Sequence, residues 1–245
     1  MQKRAYEIAA RIENDHWWFS GRRSILAALL DRYLPPSATP RRILEVGCGN
    51  GGNLAFLAGY GNVFAVEKDD GARERAALRR IGTIERGWLP DALPFAGDTF
   101  DLIAALDVLE HVEDDAAAVR VLRARLNERG LLIVTVPAFQ WLWSDHDVLS
   151  EHVRRYTRER FAELLLHAGL NVCYCGYFNS LLFPAAVASI VLGWLVSGGH
   201  PGLRIPPRAI NRALRSIFTI EARLVPRIEL PFGLSIVACA SPTRP

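Results

Sequence analysis

Lysine is almost missing from this chain: of its 29 basic residues only Lys3 and Lys68 are lysines, and the formal net charge is +3. So small a balance leaves no electrostatic footprint for nucleic acid, and no nucleic-acid partner is expected. Cysteine is scarce as well. Cys48, Cys173, Cys175 and Cys239 show no C-x-x-C spacing, so no zinc site is expected and the four read as small buried residues in a reducing compartment. The longest apolar run, "LLFPAAVASIVLGWLV" (181–196), is 16 residues long and carries Pro184 and Gly193, short of the roughly 20 needed to span a bilayer. The opening "MQKRAYEIAARIEND" is polar and helical rather than a leader, which sets the expectation of a cytoplasmic protein. Internal repeats and low-complexity tracts are also absent from the sequence.

What is present is globular. Half of the 245 residues are apolar and 22% charged, enough for one domain with a substantial core. Residues 1–34 read as two helices separated by an aromatic cluster, "DHWWFSGRR" (15–23), the second helix ending at Pro35 and Pro36. From there strands and helices alternate. Strands are predicted at 41–47, 62–68, in the first part of 100–112, and at 131–138, with helices at 53–60, 71–82 and 114–130. Strands that read as continuous apolar runs between helices predict a parallel sheet covered on both faces. Thr157 is the predicted N-cap of a further helix that Gly169 ends, and late strands are predicted at 170–178 and 233–241.

Between those late strands lies an unusual insertion. No Asp, Glu, Lys or Arg occurs from Leu164 to Leu203. After it, 206–227 reads as a helix with Ile210, Leu214, Ile217, Glu221 and Leu224 on one stripe and Arg208, Arg212 and Arg215 on another. The chain is thus read as one domain, 1–245: an N-terminal helical lid (1–36), a cofactor-binding core (37–180), a helical cap (181–230), and a last strand and tail (231–245).

The glycine loop carries the first chemistry. "EVGCGNGGN" (45–53) follows the first strand and opens the first core helix, with Gly47, Gly49 and Gly52 in G-x-G-x-x-G spacing. Glycines let the backbone turn tightly and approach a ligand, and the helix start offers free N–H groups. Glu67, ending the second strand, is placed to accept from both ribose hydroxyls of an adenosine. Two ligands fit this pattern, a nicotinamide dinucleotide and S-adenosylmethionine. Glu45 separates them, since a carboxylate just ahead of the glycines repels a pyrophosphate and suits the ammonium of a methionine moiety.

At this point the sequence resembles the class I S-adenosylmethionine-dependent methyltransferases, in particular the type 11 group. The matching residues are "ILEVGCGNGGN", "VFAVEKDD", "LPFAGDTFDLIAALDVLEHVEDD" and "GLLIVTVPA", in that order between 41 and 138, and "HWWFSGRR" is similar to a stretch in a bacterial subgroup. The resemblance implies a Rossmann-like α/β fold, a mostly parallel seven-stranded sheet with its last strand antiparallel. It implies S-adenosylmethionine as cofactor, with Gly47, Gly49 and Gly51 lining it, Glu45 at its amino group and Glu67 at its ribose. One departure is visible. Where many relatives carry an acid before "LPF" for the adenine amino group, this chain has "RGWLPDALPF", with Leu89 or Trp88 near that place. Asp107, ending the fourth strand, falls where relatives face the methionine end and the acceptor.

Methyl transfer needs little beyond orientation and exclusion of water. A base is needed only where the acceptor carries a proton that must leave. His111 in "LEHVED" and His152 in the later loop are the candidate catalytic residues. The loop "SDHDVLSEHVRRYT" (144–157) crowds His146, Asp147, His152, Arg154, Arg155 and Tyr156; its spacing supports no metal site, and the alternatives are an acceptor grip by His146, Arg155 and Tyr156 or a solvated face. Trp17 is expected at the acceptor and Trp18 at the sulfonium, both as parts of a lid, with Arg22 or Arg23 reaching the methionine carboxylate. The resulting expectation is a methyltransferase for a small acceptor, apolar or lipid-linked, with peripheral contact at the inner membrane surface through 181–227 or a homodimer built on the same segment. The alternatives are a non-catalytic cofactor-binding scaffold and a nicotinamide-dependent oxidoreductase.

Overall fold

The computed structural model describes residues 3–188 and 205–243; the second half of the apolar run 181–196, from 189 on, falls outside the described residues. Seven strands form one sheet: β1 (Arg41–Val46), β2 (Gly61–Glu67), β3 (Thr83–Arg86), β4 (Phe100–Leu106), β5 (Leu126–Pro137), β6 (Leu170–Phe178) and β7 (Ser235–Pro242). Their order is β3-β2-β1-β4-β5-β7-β6. The pairs among β1 to β5 are parallel, and β7 is antiparallel to both β5 and β6.

Both faces of the sheet are covered, which is why the central strands read as unbroken apolar runs. On one face Leu44, Ile103 and Leu132 pack with α5 (Asp115–Ala124) through Val119 and Leu122, and with α7 (Arg158–His167) through Phe161 and Leu165. On the other, Ile43, Ala104 and Ile133 pack with α2 (Trp17–Tyr33) through Ile25, Leu26 and Leu29, with α3 (Leu54–Ala58) through Leu54 and Leu57, with α4 (Asp70–Leu78) through Ala76, and with α9 (Arg208–Leu224) through Phe218 and Ala222. The first helix is α1 (Lys3–Ile12); α6 (Asp145–Ser150) is a short helix after β5, and residues 183–188 form α8. Thr157 caps α7 as its sequence position predicts, accepting from the Arg160 N–H, and Gly169 ends that helix with φ +78°.

Several expectations shift. The aromatic cluster does not separate two helices: Trp17, Trp18 and Phe19 form the first turn of α2, and the His16 ring caps it by accepting from the Trp18 N–H. The helix expected at 114–130 ends at Ala124, because Leu126 pairs beside Phe100 at a bulge and so joins β5. Strand pairing there overrides the helical propensity of "LNERG". β3 carries no apolar periodicity, since it lies at the sheet edge with three of its four residues exposed. Cys173 is exposed on the edge strand β6, whereas Cys48, Cys175 and Cys239 are buried. The buried side of α9 is centred on Phe218, Glu221 and Ala222; Ile210 and Leu224 of the expected stripe stand in solvent. Glu221 is fully buried and accepts from the backbone N–H of Asn179 and of Leu181, both at 2.6 Å, fixing α9 to the segment after β6.

Candidate active site

The strand order reverses between β1 and β4, the point beyond whose strand ends open α/β sheets hold their ligands. Gly47, Gly49 and Gly51 all have positive φ. A Cβ on Gly47 would come within 2.7 Å of Val108 and one on Gly51 within 2.7 Å of Leu54, whereas one on Gly49 would meet nothing within 4 Å. Gly49 is therefore where a ligand can approach the backbone.

Two acids flank it. Glu45, at the end of β1, is 1% exposed. One of its carboxylate oxygens accepts from Asn53 Nδ2 at 2.9 Å; the other has no hydrogen-bond partner among the described residues. Burial pushes Glu45 up to about 7, against the opposing pull of the Asn53 bond and the Arg22 charge. Glu67, ending β2, accepts from the Gly49 N–H at 2.8 Å through one oxygen and, through the other, from the Asp69 N–H and the Tyr6 hydroxyl, each at 2.9 Å.

Tyr6 belongs to α1, which lies over the glycine loop. The Tyr6 carbonyl accepts from Asn50 Nδ2 at 3.0 Å, and Glu13, just past α1, pairs with Arg79. Asn50 is held in turn by Arg75 and Arg79, each at 2.7 Å. An orphaned buried carboxylate oxygen suits the ammonium of S-adenosylmethionine, the open face of Gly49 suits its close approach, and Glu67 suits a ribose diol. The donor set thus fits this cofactor. Leu89, at the expected adenine position, is buried in the core, and Trp88 beside it is 37% exposed.

Both arginines of the lid are engaged by groups of the protein itself. Arg22 pairs with Asp107 beneath Trp18, whose ring centroid lies 4.5 Å from its guanidinium, and Arg23 donates to the Glu13 and Gly52 carbonyls at 3.3 Å. Asp107 is consequently committed: it also accepts from the Thr135 hydroxyl at 2.8 Å. Trp17 turns to α9 rather than to an acceptor. Its ring meets Phe218 edge-on at 5.7 Å, and its backbone N–H donates to Asn211 Oδ1 at 2.9 Å.

At the other rim the loop after β4 meets the loop after β5. Glu110 is 1% exposed, and neither carboxylate oxygen has a hydrogen-bond partner among the described residues. Burial and the neighbouring Asp107 hold its carboxyl well above the usual range. His152 Nε2 lies 4.0 Å from a Glu110 oxygen, and the His111 and His152 rings meet edge-to-face at 4.7 Å. Burial, then the neighbouring His152, lowers His111 to about 4.

Asp147 organises this loop. It is fully buried and accepts from His152 Nδ1 and from two Arg155 nitrogens, all at 2.8 Å. Burial alone would raise its carboxyl; those bonds outweigh burial and hold it far below the usual range. Arg155, expected to grip an acceptor, is therefore spent on Asp147 and on the Ala138 carbonyl at 3.0 Å. Tyr156, also expected at the acceptor, is a core residue packed on Phe161, its hydroxyl donating to Asp115 at 2.8 Å. His146 keeps its place at the rim, exposed, its ring 6.0 Å from that of His152.

Two features escaped the sequence reading. Glu110 was visible as an acid following an apolar strand, but its isolation was not. The aromatic ladder was not visible at all: Phe139, with φ +55°, stacks on Tyr177 at 4.9 Å and lies 5.9 Å from Trp141 and 6.2 Å from Phe183, which meets Phe232 at 5.2 Å. Trp141 is 54% exposed.

A doubly wound sheet with an antiparallel seventh strand, a glycine loop and an acid closing each of its first two strands defines a class I S-adenosylmethionine-dependent methyltransferase. Residues 18–174 match the family model of the methyltransferase domain, and the chain belongs to that family. A probable S-adenosylmethionine-dependent methyltransferase of Mycobacterium tuberculosis is 28% identical over 174 residues, covering 69% of this chain and 61% of that protein. A ubiquinone biosynthesis O-methyltransferase of Methylocella silvestris is 30% identical over 190 residues, covering 75% of this chain and 60% of that protein. The matches thus span about six tenths of these relatives' lengths. Among solved structures, a putative methyltransferase bound to the Trm112 activator of Haloferax volcanii superposes with TM-score 0.61 at 15% identity, covering 96% of this chain and 93% of the other. A TehB-like methyltransferase of Corynebacterium glutamicum gives 0.58 at 16% identity, with 98% and 95% covered. At such identities these likenesses speak for the fold.

Proposed function

We propose that this chain transfers the methyl group of S-adenosylmethionine to a small apolar acceptor. The observation that carries the proposal is the orphaned, buried oxygen of Glu45 beside the open backbone of Gly49. The cofactor supplies an electrophilic methyl carbon on a sulfonium sulfur, which an acceptor nucleophile takes by in-line displacement.

The chain's own residues bind and orient. Glu45 receives the ammonium, and its carboxylate then gains the partner it lacks. Glu67 receives the ribose diol; three donors already occupy the four lone-pair positions of its two oxygens, so the Tyr6 hydroxyl must yield to admit both ribose hydroxyls. α1 and the start of α2 then close the cleft and exclude water. Holding the two reactants in line supplies about 7–11 kcal/mol in the best cases. Leu89 packs near the adenine, and the acceptor enters beside His111, His146 and His152.

The apolar character of the acceptor is supported by the exposed end of the aromatic ladder at Trp141 and Phe232, next to that rim. The outer side of α9 adds support for delivery from a membrane surface: Arg208, Arg212, Arg215 and Arg223 are exposed there together with Ile210, Ile220 and Leu224. No helix among the described residues is long and apolar enough to cross a membrane.

The test is a transfer assay with methyl-labelled S-adenosylmethionine and bacterial extract, followed by organic–aqueous partition. Protein-dependent label in the organic phase is expected. Label confined to the aqueous phase would refute the apolar acceptor, and cofactor binding without label in either phase would favour a binding protein.

A further inference from the structure

His152 lies 41 residues beyond the adjacent pair Glu110 and His111, yet one ligand atom of each of the three falls within 4.8 Å of the others. We propose that these three residues bind one divalent transition-metal ion at the acceptor end of the cleft. Two imidazoles and a carboxylate are a ligand set suited to zinc, cobalt or ferrous iron.

The surroundings point the same way. Each histidine is oriented from behind by an acceptor on its other nitrogen. His152 Nδ1 faces Asp147 Oδ1 at 2.8 Å, and His111 Nδ1 faces the Glu151 carbonyl at 3.4 Å. Both rings are therefore set to carry the proton on Nδ1 and to turn the Nε2 lone pair the other way, the arrangement found behind metal-bound histidines. On that side His152 Nε2 meets a Glu110 oxygen at 4.0 Å. Ligands on one ion at 2.0–2.2 Å stand about 3.3 Å apart, so a small side-chain rotation closes the set.

Glu110 is the independent observation. A carboxyl group buried with neither oxygen hydrogen-bonded is costly in a folded protein, and a cation in contact with it removes that cost. Arg22, whose charge acts on Glu110, is paired with Asp107, and Arg155 is spent on Asp147. Three protein ligands leave at least one coordination position open toward the rim. That the position holds the acceptor's nucleophilic atom rests on the methyl-transfer reading; metal binding itself does not.

The test is therefore made without cofactor or acceptor. Untagged protein is stripped with EDTA, exchanged into metal-free buffer and titrated with cobalt(II) chloride, followed by calorimetry and visible absorption. One saturable site with a visible ligand-field band is expected. Glu110→Gln and His111→Asn should each weaken it at least about tenfold, and Asp147→Asn, acting through His152, about 10- to 100-fold. Circular dichroism confirms that each variant is folded; Glu110→Gln keeps the shape of the buried acid and serves if Asp147→Asn does not fold. No saturable cobalt binding by the unsubstituted chain, or binding unchanged in Glu110→Gln and His111→Asn, overturns the proposal. Because the titration contains no methyl donor, its failure leaves the transfer assay standing, and the converse also holds.

Discussion

Glu45 places a titration near neutrality inside the proposed cofactor site. Its carboxyl is pushed up to about 7 by burial, so the folded protein holds a proton there that the unfolded chain has released. The stability Glu45 contributes is therefore full at acid pH and is lost as pH rises from its ordinary carboxylate range to about 7. Cofactor binding runs the other way, because an ammonium pairs with the ionised form. Calorimetric Kd values for S-adenosylmethionine should rise about tenfold per pH unit below 7 and level off above it. Glu45→Gln should weaken binding about 10- to 100-fold at pH 7.5 and abolish that slope. A slope that survives in the variant would assign the titration elsewhere. Tyr6 acts in the opposite sense. Removing its hydroxyl in Tyr6→Phe frees a position on Glu67, and Kd should fall several-fold, by about 1 kcal/mol; weaker binding would make Tyr6 a cofactor ligand instead. Glu45 and Glu67 were legible in the sequence because the glycine spacing marks both. Tyr6 was not, since nothing local ties a residue of the first helix to the end of the second strand.

At the scale of elements, α2 and α9 are packed so closely that one residue decides the contact. A Cβ on Gly21 would lie 2.0 Å from Cδ1 of Phe218, a ring that is itself fully buried. In an open helix Gly→Ala stabilises by up to about 1 kcal/mol. Here the overlap outweighs that gain, and Gly21→Ala should destabilise by about 1–2 kcal/mol, read as a lower denaturant midpoint. A raised midpoint would mean that α9 stands off from α2. The strands β1, β4 and β5 and the capped helix α7 were legible, because apolar runs and Thr157 are local signals. The end of α5 was not: "RARLNERG" continues a helical pattern, and only the long-range pairing of Leu126 with Phe100 stops it. The acceptor rim was misread for a related reason. Sequence spacing shows that Arg155 and Tyr156 are adjacent, but not that Asp147 and Asp115 have already claimed them.

Taken whole, the molecule is tied together across its length. Helix α2, near one end of the sequence, rests on α9, more than 170 residues later, and Asn211 donates to the Asp15 carbonyl at 2.8 Å. The most consequential long-range tie is β7, which lies between β5 and β6 although it comes last in sequence. During synthesis, everything through β6 leaves the ribosome while the slot beside β5 is still vacant, exposing apolar backbone edges that an unrelated strand can occupy. A ribosome-stalled chain released only to residue 234 should accordingly be cleaved rapidly by protease and recruit a holding chaperone, and release through residue 243 should protect the whole sheet in one step. Maturation of this fold is then timed by β7, so that the strands β1 and β4 flanking the proposed cofactor site, made well before it, gain a rigid floor only when synthesis has passed β7.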